Sequence, residues 1–218
     1  MYTKSISNAT LRTASSEQAM VYWITLGTVL AIGFGLNFAM VKSIPVEAVM
    51  SINKWVLVIG YFVCAISGIA LSKTSENPTI SFIGFLMVVV PVGVITIPFI
   101  GSKNPEVIEK AALFTAILSS IMAFAGAAFS NLFRSIGGIL FWALLAAIIA
   151  EVVLMLFGYN LAIMDWIVAI IFLGFIAYDF ANALDDTPSM DAAVDRAVDL
   201  YLDIFNLFVR LSSIMSSD

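Results

Sequence analysis

Seven long apolar runs constrain this chain before anything else does. Val21–Val41, Trp55–Ser72, Thr79–Ser102 and Ala111–Phe133 contain no charged residue; Ile136–Tyr159 contains only Glu151, and Leu161–Leu184 only Asp165 and Asp179. A bilayer core of about 30 Å takes roughly 20 residues of helix, and in lipid every backbone polar group must be satisfied within the span. Each run therefore reads as a membrane-crossing helix, and Asp199–Met215 as the seventh. Composition agrees: 11% of residues are charged, against about 25% in a soluble domain. Connections such as SKTSENP (72–78) and SKNPE (102–106) leave no room for a folded soluble domain. The chain reads as a polar tail, 1–19, before a seven-helix domain, 20–218, all-α and integral to the membrane. The tail precedes a full-length span, so it is not read as a signal peptide.

Several function classes fall away on composition. A net charge of −5 argues against a nucleic-acid partner. The chain has no histidine, which removes the commonest metal ligand and the usual near-neutral titrating group. The one cysteine, Cys64, sits in an apolar run and reads as packing. No P-loop, HExxH or GxSxG is present, so neither an enzyme nor a cofactor is expected. Within the spans, Pro91 and Pro98 predict a kinked third helix. AFAGAAFS (123–130) suits close helix approach, and Gly137-Gly138 a helix start. Tyr22, Trp23, Trp55 and Trp166 are read as interfacial anchors. With the N-terminus inside, the inner segments hold Lys4, Arg12, Lys73, Arg134 and Arg196, and the outer ones Lys42, Lys54, Lys103 and Lys110. That small excess places the N-terminus in the cytoplasm.

The seventh run differs from the others. In DLYLDIFNLFVRL (199–211), Asp199, Asp203, Asn206 and Arg210 recur at helical spacing and fall within about 60° of one another. Asp203 and Arg210 alone cost on the order of 5–7 kcal/mol to insert, and the nine Leu, Ile, Phe and Val residues from Leu200 to Ile214 offset about 3–5. The stripe must turn from lipid toward other helices or water. Asp179, in FIAYDFANAL, precedes this helix by a short connection, so Asp179 and Asp203 fall at similar depth in antiparallel neighbours. Two carboxyls in a dry site share a proton rather than both ionise. Such a pair is a latch, closed by a carboxyl–carboxylate hydrogen bond and opened by repulsion. Separated carboxylates also offer hard oxygen ligands to Ca²⁺.

The same residues admit plainer readings. Embedded Asp and Asn often only join helices, and Arg210 can neutralise Asp203 or Asp199 or snorkel to the interface. Glu151 and Asp165 read as interfacial, and the acidic 185–199 segment as a solvated linker.

AYDF (177–180), LYLDIFNLF (200–208) and the ending SSIMSSD resemble the Bax inhibitor-1 family, most closely its bacterial members. The resemblance implies a bundle whose C-terminal helix is central and wrapped by the other six. It implies a pH-sensitive Ca²⁺ leak in which Asp179 and Asp203 form the proton sensor and gate, with Ca²⁺ as the transported ion along those carboxylates. Asp199, Asn206 and Arg210 are then candidate pore lining. Bacterial relatives carry an arginine near the end of helix two that pairs with the aspartates. This chain has none there, and Lys73 is the nearest cation, a candidate salt-bridge modulator without bidentate geometry. The alternative is a membrane interaction protein restraining a membrane protease or a stress or cell-death pathway without conducting ions. The bacterial-like ending points to a bacterial inner membrane. An intramembrane aspartyl protease fits less well, since no GxGD-type motif surrounds Asp203. A retinal protein is excluded by the lack of lysine in the seventh run.

Overall fold

Asparagine and proline set several of the helix starts. Asn53 Oδ1 accepts from Trp55 N at 2.9 Å, Asn77 Oδ1 from Thr79 N at 2.9 Å, and Asn104 Oδ1 from Glu106 N at 3.0 Å. Pro78 and Pro105 stand at first helical positions, where no N–H is needed. The computed structural model describes residues 2–159 and 161–216, with side chains from residue 15 onward. Among the described residues there are nine α-helices and no strand: α1 (Tyr2–Ser43), α2 (Val46–Met50), α3 (Lys54–Thr74), α4 (Pro78–Gly101), α5 (Pro105–Ala128), α6 (Ser130–Ser135), α7 (Gly137–Leu156), α8 (Ala162–Ala183) and α9 (Met190–Ile214).

Six stretches are long and apolar enough to cross a membrane: Ser15–Ser43, Lys54–Thr74, Pro78–Gly101, Pro105–Ala128, Gly137–Leu156 and Ala162–Ala183. The charge-bearing α9 is not one of them. Its start also differs from expectation. The segment read as an acidic linker up to residue 199 is helical from Met190. Ser189 Oγ accepts from Ala192 N at 3.0 Å, and Ala193, Val194, Ala197 and Val198 are buried on one stripe. Only residues 184–189 connect α8 to α9. The fourth span ends five residues earlier than Phe133, at Ala128. Phe129 (φ −124°, ψ 40°) leaves the helical region, and Ser130 and Asn131, which favour helix starts over interiors, open α6. α4 runs unbroken through Pro91 and Pro98.

The chain divides into two compact units, Met1–Ile97 with Asp186–Val198, and Pro98–Asp185 with Asp199–Asp218. In the first, α3 and α4 meet backbone to backbone. A Cβ on Gly84 would lie 2.6 Å from Gly68 O and 2.8 Å from Ser72 N, and Phe85, Val88, Val89 and Val92 fill the core beneath. In the second, α8 packs against α5, α6 and α7. Gly126, within the small-residue patch of α5, lies against the Ala177 backbone of α8, and Gly137 opens α7 against the Tyr178 ring.

A carboxyl pair and an ion triad

Asp179 and Asp203 reach each other because each sits on the packed face of its helix. On α8, Ile176, Ala177 and Ala181 are buried around Asp179; on α9, Leu200, Tyr201 and Leu207 are buried around Asp203. The two aspartates are 7% and 8% exposed, and their side chains hydrogen-bond to each other. Two ionised carboxylates have no donor between them, so this bond requires one carboxyl to keep its proton. Asp199, one turn before Asp203 on α9, adds repulsion to the same carboxyl. Asp203 Oδ2 is buried with no hydrogen-bond partner among the described residues.

Arg210 does not join this pair. Its guanidinium is held by Glu151 of α7 and Asp165 of α8. Nη1 donates to Glu151 Oε1 and, at 2.9 Å, to Asp165 Oδ1, while Nη2 donates to Glu151 Oε2 at 2.9 Å. The three side chains are 23%, 18% and 16% exposed. Neutralisation of Asp203 or Asp199 by Arg210 is therefore replaced by a triad on three helices. Glu151 and Asp165, read as interfacial, are its anions. Asn206 turns to its own helix, Nδ2 donating to Leu202 O at 2.7 Å.

Lys73 lies in the first unit, where its Nζ donates to Asp195 O at 3.0 Å. There the first turns of α9 are bonded to α3 and α4: Ser72 Oγ donates to Asp195 Oδ1, and Ser81 Oγ to Asp191 Oδ1 at 2.6 Å. Tyr22 OH donates to Asp186 Oδ2 at 2.7 Å, and Arg196 Nε and Nη2 donate to the same carboxylate at 3.1 and 3.0 Å. Tyr22, read as an interfacial anchor, is 2% exposed. Trp55 and Trp166 are exposed. The sequence reading missed this cluster. The signal is present in the sequence: Asp191, Asp195, Asp199 and Asp203 repeat every fourth residue, extending the stripe two turns upstream of Asp199.

Among the described residues, no three His, Cys, Asp or Glu side chains are arranged to hold a metal ion. No curated protein matches the chain. A family model described as inhibitor of apoptosis-promoting Bax1 matches residues 18–218. With that match and six apolar helices of spanning length, the chain is a multi-pass integral membrane protein and belongs to the Bax inhibitor-1 family.

Proposed function

We propose that this protein is a pH-sensitive Ca²⁺ leak channel whose gate is the Asp179–Asp203 pair. The observation that carries the reading is a buried carboxyl–carboxyl hydrogen bond between α8 and α9. While one proton is shared, the pair draws the two helices together. When both carboxyls ionise, like charges in a poorly screened site repel, and α9 is pushed from α8. In this reading α9 is a seventh span and the central helix, its polar face lining the path through Asp199, Asn206 and Arg210. Ca²⁺ is the cargo, passing carboxylate oxygens suited to a hard cation. Lys73 acts on the pair through α9, whose Asp195 carbonyl it bonds. The membrane is a bacterial inner membrane, with the N-terminus in the cytoplasm.

The sign follows from the chemistry: flux is low where the proton is shared and rises with pH as it leaves. An asparagine in place of either aspartate donates to the remaining carboxylate at every pH. Asp179→Asn and Asp203→Asn should each hold the latch closed and abolish the pH dependence. The measurement is Ca²⁺ uptake into proteoliposomes at pH 6, 7 and 8. Flux no greater than in empty liposomes, or flux that both substitutions leave unchanged, would remove the channel reading.

A further inference from the structure

α9 is bonded to α8 at two levels. Asp203 meets Asp179 through a proton, and Arg210 meets Asp165 through a fixed charge, with Glu151 of α7 gripping the same guanidinium. Asp203 and Arg210 are seven residues apart on one face of α9, about 10.5 Å along the axis and about 20° apart around it. The first bond comes and goes with pH. A guanidinium, by contrast, keeps its charge throughout, and a forked pair to a carboxylate fixes geometry as well as distance.

We infer that Arg210 is a positioning residue for the Asp203 carboxyl: the triad with Glu151 and Asp165 limits how far α9 can separate from α8. This rests on the reading of Asp179–Asp203 as a proton-operated latch. The ionisable groups acting on Asp203 are Asp179 from α8 and Asp199 from its own helix; those facing Arg210 are Glu151 from α7 and Asp165 from α8. With α9 tethered, two ionised carboxylates must stay close, so the doubly ionised state is costly and the proton is retained to higher pH. Releasing the tether lets them part. Two unit charges moving from about 4 to about 6 Å at an effective dielectric constant of about 20 lose repulsion equivalent to roughly one pH unit, a tenfold change in proton affinity.

The direction separates this from a simple field effect. Loss of a positive charge acting through space would make the pair hold its proton more tightly and move its midpoint to higher pH. Loss of a tether moves the midpoint to lower pH. The test is an infrared pH titration of the full chain in phosphatidylcholine nanodiscs, following the protonated-carboxyl stretch assigned by its disappearance in Asp203→Asn. Arg210→Gln should move the midpoint about one unit to lower pH. Arg210→Lys keeps the charge but loses the fork, and should move it part of the way. An unmoved or higher midpoint in Arg210→Gln overturns the inference. Should that variant fail to fold, an unmoved midpoint in Arg210→Lys overturns it equally. The infrared band reports the proton whether or not Ca²⁺ passes. A shifted midpoint without Ca²⁺ flux therefore ends the channel reading and keeps the positioning role, whereas a pH-gated flux with an unmoved midpoint does the reverse.

Discussion

A single added carbon tests how tightly the helices of the first unit are set. The Cβ of Gly84→Ala would meet Gly68 O and Ser72 N at 2.6 and 2.8 Å, both backbone atoms that cannot rotate aside. The helices must part or the backbone must shift, at about 1–3 kcal/mol. Gly60→Ala is the control, because a Cβ there meets nothing within 4 Å. Thermal unfolding in detergent should show a lowered midpoint for Gly84→Ala and none for Gly60→Ala. The two aspartates of the pair were legible in the sequence because an embedded carboxyl is costly wherever it points. Gly84 was not, because its importance depends on the register between α3 and α4, which one helix's periodicity does not contain. The partners of Arg210 were hidden for the same reason: Glu151 and Asp165 stand 59 and 45 residues away along the chain.

At the scale of the element, α9 shows where a charge pattern was read correctly and stopped too soon. Its stripe was visible from Asp199 onward, and the estimate that it could not face lipid holds for the buried Asp203. Upstream, Asp191 and Asp195 read as linker charges, because acidic residues outside an apolar run are usually solvated. Two serines alter that balance. Ser81 gives its hydroxyl hydrogen to Asp191 and Ser72 to Asp195, so the first turns of α9 are fastened to α4 and α3. Hydrogen bonds to charged acceptors contribute more than neutral ones, and Asp191 remains partly exposed. Ser81→Ala should therefore cost about 1–2 kcal/mol. Ser72→Ala should cost a similar amount, and the double variant less than the sum because both bonds hold one helix. Unfolding of the two single variants and the double variant checks this. Full additivity would show that the two serines act independently.

Across the whole molecule, the number of membrane crossings rests on α9. Six helices qualify by length and apolarity; an even number returns the chain to its starting side, and a seventh carries it across. Within the first unit, Tyr22 of α1, Ser72 and Ser81 on either side of the α3–α4 turn, and Asp186, Asp191 and Asp195 at the start of α9 are bonded together. That cluster holds residues 186–195 against the α3–α4 turn. Arg210, two turns beyond Asp203, is bonded to Asp165 in the first turn of α8, the end of that helix opposite its connection to α9. In the proposed reading α9 is a seventh span that ends on the membrane face opposite the α3–α4 turn. In a Cys64→Ala background, Glu76→Cys and Thr187→Cys should react with a membrane-impermeant maleimide from the same side of sealed vesicles. Ser216→Cys should react only from the other. In that reading the charges of α9 are met by protein rather than lipid: Asp203 by a carboxyl, Arg210 by two anions, and Asp191 and Asp195 by serine hydroxyls. Labelling of Ser216→Cys from the same side as Thr187→Cys would leave α9 at the surface, and with it would go the central helix on which the proposed gate depends.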